Sequence, residues 1–478
     1  MKVRGRPLKV GRFRLMNFVA CVVMLTCVLA SLEAHAQEAQ LLVPQPYSER
    51  DRHGVDVMGG AFSHAPATLS IGPRNGGLSF RPVVTDRGRW THNFMGSVVE
   101  ACDWHDASNM CELVRGAYRT VTLGDSHAVV FEEQVDGSWA PTNGQSATLT
   151  GSGGNWTFVA HDGTIATFAA PTVWEYTGES GPNFKQTSLA ALRTLTRPSG
   201  LTLTYHYRLN AIGAYTLSSV TSNTGYQLFF EAAASGVPEI AKAIALNTAV
   251  EACDPTAPTC TPAGAWPMMT LERSSGSIRA TDALGRTTYY NFGPPAAGHL
   301  NRVIGVRRPG RTTGYDMTFL YRRYVSTPPE EFPFVEPYGP VASVATDDGL
   351  WKYKNAYGSW TRTVENPQGH AVIYEMQEFG ISKTARLHKM TDELGRVWTN
   401  TYEIRPGIGA VLLSVTRPEG DELVYNFDTR GNVTEERMVS KAPGSPADIV
   451  RRATYPSTCA NPVTCNLPTS ITDARGGV

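Results

Sequence analysis

In "TRPSGLTLTYHY" (196–207), "TDALGRTTYYNF" (281–292) and "TRPEGDELVYNF" (416–427), a short polar stretch ends on glycine. Alternating polar and apolar positions follow it. A period of two predicts strands, and the stretch before each glycine reads as a hairpin turn. The turn takes two forms. Asp282-x-x-Gly285, Asp392-x-x-Gly395, Asp428-x-x-Gly431 and Asp473-x-x-Gly476 share the first. Arg197-Pro198-x-Gly200, Asn366-Pro367-x-Gly369 and Arg417-Pro418-x-Gly420 share the second. Asp or Asn at the first position bonds the backbone two residues on, Pro at the second presets φ, and Gly at the fourth accepts φ > 0. Both forms therefore specify one turn.

The aromatic residues keep step with the glycines. Five positions after a glycine stand Phe168, Tyr205, Phe230, Tyr290, Phe319, Tyr374 and Tyr425, and seven positions after stand Tyr207, Phe292, Tyr321, Tyr402 and Phe427. Offsets of equal parity put both rings on one face of a strand, whereas on a helix they would diverge by about 200°. The step slips at Asn400, which holds the fifth position after Gly395. The sequence predicts an all-β array of hairpins repeating every ~20–45 residues, each too small to bury its own apolar face. The rings are expected to pack on the next hairpin.

Earlier segments are β-like but less regular. Between Val55 and Thr150, "ATLSI", "GLSFRPVV", "YRTVTL" and "HAVVFEEQ" alternate with Gly, Asn and Asp turns. "GPRNGG" (72–77) leads into a strand rather than a helix N-terminus, so it does not read as a phosphate cradle. "SLAALRTL" (188–195) is the best helical candidate, and the Pro-rich "TPPEEFPFVEPYGP" (327–340) reads as an excursion from the array.

At these residues the chain resembles the RHS/YD-repeat family. "YNFDTRGNVTEE" (425–436) is similar to that family's Y-x-Y/F-D-x-x-G-N-x-T element, and 281–292, 391–403 and 196–207 are similar to further copies. The resemblance implies a coiled β-ribbon shell over residues 155–478, ending mid-repeat. A smaller β-rich region, 37–154, precedes it. It further implies a scaffold for downstream repeats and a C-terminal effector segment, often a toxin. Relatives that cleave themselves carry a D-P-x-G-L motif. Here Asp254-Pro255 continues Thr-Ala, so that role is not carried over.

The N-terminus points to export. Lys2, Arg4, Arg6, Lys9, Arg12 and Arg14 precede an apolar run from Phe18 to Ala30, and Ala34-His35-Ala36 offers a cleavage site before Gln37. Residues 1–36 read as a signal peptide, with an uncleaved anchor as the alternative. This places the chain in the periplasm, outside the cell or on its surface. Residues 37–54 read as polar and loosely ordered. Removing the basic leader leaves an excess of acidic side chains with no basic block, which excludes nucleic acid as the natural partner. Six cysteines remain as close pairs: Cys102 with Cys111, Cys253 with Cys260, and Cys459 with Cys465. Such spacing suits local disulfides in an exported chain. Asp103, His105 and Asp106 beside the first pair offer a metal site as the alternative, without standard zinc spacing.

Catalytic signatures are missing: no H-E-x-x-H, G-x-S-x-G, P-loop or C-x-x-C occurs. The recurrent aspartates are accounted for by turn bonding, so the sequence predicts neither catalysis nor a cofactor. Surface glycans stacked on the aromatic residues are the alternative partner.

Overall fold

The computed structural model describes residues 50–478, apart from 89, 102–117, 125–126, 170–187, 210–214, 234–239, 294–301, 323, 326–334, 337–339, 356–359, 380–383, 443–445 and 478. The leader and most of the Pro-rich excursion lie outside the described residues. So do Cys102 and Cys111, expected to pair, and the acids and histidine between them.

The turns have one geometry. The Asp282 N–H donates to the Arg286 carbonyl (3.0 Å), the Asp282 carbonyl accepts from Gly285 N–H (2.9 Å), and Gly285 has φ 76°. Asp282 Oδ1 also accepts from the N–H groups of Leu284 and Arg286, both at 2.9 Å. Asp392 with Gly395 and Asp428 with Gly431 repeat these bonds. The Arg197 and Arg417 turns make the two backbone bonds without a carboxylate, with Pro198 or Pro418 at the second position and φ 83° at Gly200 and Gly420. A type I turn closed by a left-handed glycine brings strands together at the right twist for a hairpin.

Joined end to end, the hairpins make a meander. Among the described residues one antiparallel sheet holds 28 strands. Its main run goes from Thr148–Ser152 to Ser470–Thr472, each strand pairing with the next and only the small 324–325/335–336 ladder standing apart. A branch of Gly96–Ala101, Tyr118–Leu123, His127–Glu133 and Trp139–Pro141 joins it where residues 97–100 pair with 188–191. Ser188–Thr196 is therefore a strand, and the helix expected at 188–195 is corrected. It pairs with Ile165–Ala169 on one side and with two strands on the other. Three ladders and a buried Leu192 outweigh helix propensities of a few tenths of a kcal/mol per residue.

A bulge recurs in step with the turns. The ladder shifts register between the sixth and seventh residues after glycine at 206/207, 231/232, 291/292, 320/321, 375/376, 401/402 and 426/427. Each time the unpaired extra residue is on the following strand: Ser218, Ala241, Ile304, Ala342, His388, Leu413 and Thr434. The glycine strand itself keeps its parity, so its two rings stay on one face. A bulge bends its strand and adds twist. All seven lie toward the same edge along the ribbon, so their bends add in one direction.

The curl brings distant parts of the ribbon together. Asn143 bridges to Gly409, Gly144 N–H donates to the Ile408 carbonyl, and Ser146 N–H donates to the Arg430 carbonyl at 3.0 Å. These contacts join one edge of the first strands to the opposite edge of the last, as in successive turns of a spiral.

The inward face is covered by the chain's own N-terminal segment. Ser63–His64, Pro82–Thr85 and Trp90–His92 form one small sheet, and Leu69–Ile71 with Leu78–Phe80 forms another around the 72–77 turn. Their buried side chains join two apolar clusters with the ribbon, one around Phe80, Phe94 and Phe230, the other around Phe62, Tyr290 and Phe319. The expectation that residues up to 54 are loose fails for 51–54. Asp51 Oδ1 accepts from the N–H groups of His53 and Val55 and closes a turn there.

Candidate functional site

The aromatic face and the segment covering it form the surface into which the repeat directs its recurrent rings. Phe230 lies 5.0 Å from Phe80, Phe319 lies 4.3 Å from Phe62, and Tyr205 lies 6.2 Å from Phe94, all between ring centroids. The rings were expected to pack on the next hairpin. In this half of the ribbon they pack instead on residues more than 100 positions earlier, which supply the apolar surface a curved sheet cannot offer itself. Farther along, Tyr374 packs at the rim of the second cluster, and Tyr402, Tyr425 and Phe427 are half-buried.

Polar groups fasten the segment at intervals. The Tyr353 hydroxyl donates to Asp51 Oδ2, and His53 Nδ1 lies 3.1 Å from that hydroxyl. Hydrogen bonds from His53, Tyr353 and Val55 hold the Asp51 carboxyl below its ordinary value, although burial opposes them as the largest influence. Val341 N–H donates to Gly60 O (2.9 Å), and Arg362 Nε donates to Met58 O (3.1 Å). His64 Nδ1 lies 2.6 Å from the Tyr290 hydroxyl. Asp86 faces Arg302 at 3.5 Å, and burial raises its pKa although Arg302 pulls the other way. Such an arrangement fastens one part of the chain to another.

Tyrosine hydroxyls complete the bulges. Tyr321 donates to Val303 O (2.7 Å), Tyr402 to Leu387 O (2.9 Å) and Tyr455 to Val433 O (3.1 Å). Each acceptor is the residue just before an extra one, Ile304, His388 or Thr434. A bulge disrupts the ladder, and an unpaired buried carbonyl is costly.

The turn residues singled out from the sequence lie at the ribbon's edges, away from this surface. Asp282, Gly285, Asp392, Gly395, Pro418 and Gly420 are on one edge, because two strands or a multiple of two separate their turns. Asp428 and Gly431 follow after a single strand and lie on the opposite edge, at the seam with residues 144–146. The carboxylates are engaged: Asp282 Oδ2 takes Arg286 Nε at 2.8 Å, and Asp392 Oδ2 takes Arg396 Nε at 2.7 Å. His161 also sits at the seam, 3.3 Å from Ser146 Oγ. Burial lowers its pKa against the opposing pull of Ser146, Asp428 and Asp162.

The structure brings the sulfurs of Cys253 and Cys260, and of Cys459 and Cys465, to bonding distance, with Cα–Cα separations of 5.9 and 4.9 Å. Two of the three expected pairs therefore meet. The third, Cys102 with Cys111, lies outside the described residues, as does the alternative metal site beside it. The Cys253 pair clips a loop over the ribbon's other face, where Phe229, Ile244, Leu246 and Cys260 form a third buried cluster. Glu251 holds the loop's return by accepting from Ala263 N–H, Gly264 N–H and Trp266 Nε1. Gln227 bonds both backbone groups of Cys253. Sequence reasoning missed this outer cluster, for which adjacent Phe229 and Phe230 on a two-sided strand were the available signal.

No protein-family model matches the chain, and no curated protein does. Among solved structures it is similar to TcdB2-TccC3 without its hypervariable C-terminal region, at 10% identity and TM-score 0.35 over 79% of this chain. It is similar to the Tc holotoxin pore of Photorhabdus luminescens at 11% identity and TM-score 0.23, over 88% of this chain and 26% of that one. A porin-like protein of Bacteroides uniformis is matched at 11% identity and TM-score 0.19, over 57% of this chain and 97% of that one. The chain spans about a fifth of the length of the first. Likeness at these scores carries no argument, and the fold stands on its own turns, ladders and bulges.

Proposed function

We propose that the chain is a non-catalytic exported scaffold, a portion of an RHS-type shell that encloses or presents an effector segment lying beyond these residues. One observation carries the reading: the seven in-step bulges that curl the ribbon so that its aromatic face turns inward and its edges meet at Asn143 and Gly409. A wall of this kind separates its contents from solvent and needs no reactive group. The RHS-like motifs fall on the strands that make it. Its partners on this reading are further repeats and the effector, and its place is the envelope or the outside of the cell.

The test is protection. The chain joined to its natural continuation, with a protease-sensitive reporter at the far end, is digested beside the same reporter on an unrelated β-protein. Reporter survival with the natural continuation alone supports the shell, and equal digestion of both overturns it. A second reading, a surface module for carbohydrate, draws on half-buried Tyr402, Tyr425 and Phe427, which lie past the covering segment. Saturable binding on a glycan array, abolished by Tyr425→Ala, would favour that reading.

A further inference from the structure

The N-terminal segment is fastened by polar contacts to a face that its apolar residues already fill, and one of those contacts is ionisable in an unfavourable place. His64 ends the two-residue strand Ser63–His64. Its ring lies 5.6 Å from the ring of Tyr290, which belongs to Thr287–Phe292 and is fully buried between the segment and the ribbon. Phe62 stacks on the imidazole at 6.4 Å, and Trp90 stands edge-on to Tyr290 at 6.3 Å. Arg308, which follows Val303–Arg307, is the charged group that acts on His64. The Asp316 carboxylate beyond it is taken up by Arg308 N–H at 2.7 Å.

We propose that His64 is an acid-sensitive latch: gaining a proton opposite Tyr290 and Arg308, it loosens residues 51–94 from the ribbon's inward face. A neutral imidazole with its proton on Nε2 accepts the Tyr290 proton at Nδ1. A charged one cannot accept there and can only donate, and it adds a second positive charge to the field of Arg308 in apolar surroundings.

The direction follows from linkage. Burial first, then Arg308, holds the His64 pKa down to about 4, against 6.5 for a free side chain. Between these values the seated histidine stays neutral while the released one takes a proton, so seating weakens as pH falls from 6.5 towards 4. Asp86, with its raised pKa, has the opposite sign and does not produce this loss.

Hydrogen exchange on the full mature chain tests the latch, corrected for the intrinsic pH dependence of exchange. Protection of residues 51–94 should fall on the order of tenfold to a hundredfold between about pH 7.5 and about pH 4.5, while strand 397–405 changes little. His64→Gln, which keeps a polar partner for Tyr290 but cannot charge, should flatten the response. Should that variant fail to fold, Arg308→Gln serves instead and should make the fall smaller. Unchanged protection in the parent, an equal loss in 51–94 and 397–405, or an undiminished fall in the variant that folds would each overturn the proposal.

Discussion

Arg417 Nη1 lies 3.1 Å from Asp421 Oδ2 across a five-residue turn, reversing the polarity of the pair that Asp282 and Arg286 make across the same turn elsewhere. Asp392 with Arg396 keeps the first polarity, and Asp428 with Asn432 replaces the pair by a neutral donor at 2.7 Å. In these four turns the first and fifth positions vary together, whereas Arg197 faces Leu201 and Asp473 faces Gly477. Arg417→Asp would set two carboxylates against each other, so exchanging turn forms one residue at a time is not neutral. It should cost about 0.5–1 kcal/mol, the scale of a part-exposed ion pair, and adding Asp421→Arg should recover most of it. Urea denaturation of the two single variants and the double variant checks this. Additive losses in the double variant would show that the pair is idle.

Gly420 and Gly395 have φ of 83° and 76°, and a Cβ at either would meet open space. Valine there should cost at least about 1 kcal/mol through backbone strain alone. Gly163, with φ 82°, is different because its Cβ would strike the Val463 carbonyl across the seam. Gly163→Ala should therefore lower the melting temperature more than Gly420→Ala. Equal shifts would mean that the seam adds nothing to stability.

Tyr402→Phe removes the hydroxyl that serves Leu387 O beside the bulged His388. The expected loss is about 1 kcal/mol, that of a typical intramolecular hydrogen bond. Faster amide exchange should appear in strands 384–391 and 397–405 before it appears elsewhere. A variant indistinguishable from the parent by both measurements would show that Asn400 Nδ2, which also donates to Leu387 O at 2.9 Å, satisfies that carbonyl without the hydroxyl.

Export and pairing can be read from one sample. The mature protein should begin at Gln37, and a non-reduced digest should yield Cys253 joined to Cys260, Cys459 to Cys465, and Cys102 to Cys111. Replacing Cys253 and Cys260 together by alanine should cost about 2–3 kcal/mol on the chain-entropy account of a short loop. Free thiols at Cys253 and Cys260 in secreted protein would contradict the first of these pairings.

The parts of this protein legible from its sequence are those whose physics is local. An Asp282 or Pro418 turn is set by bonds within five residues, and the common parity of Tyr290 and Phe292 follows from the strand period. The all-β array was legible for that reason. What covers Tyr290 was not, because His64, Phe62 and Trp90 reach it from about 200 residues away and carry no periodic signal. Nor were the extra residues Ser218, Ile304 and His388, since a bulge exists only in the register of two strands. Strand 188–196 makes the same point, as its Leu and Ala suit a helix until the neighbouring strands bond it on both sides. Local chemistry determined the hairpins and which face their rings share. Only the assembled ribbon decided how it curls, where its edges meet and which residues fill it, because those depend on pairing and burial between segments far apart in the chain.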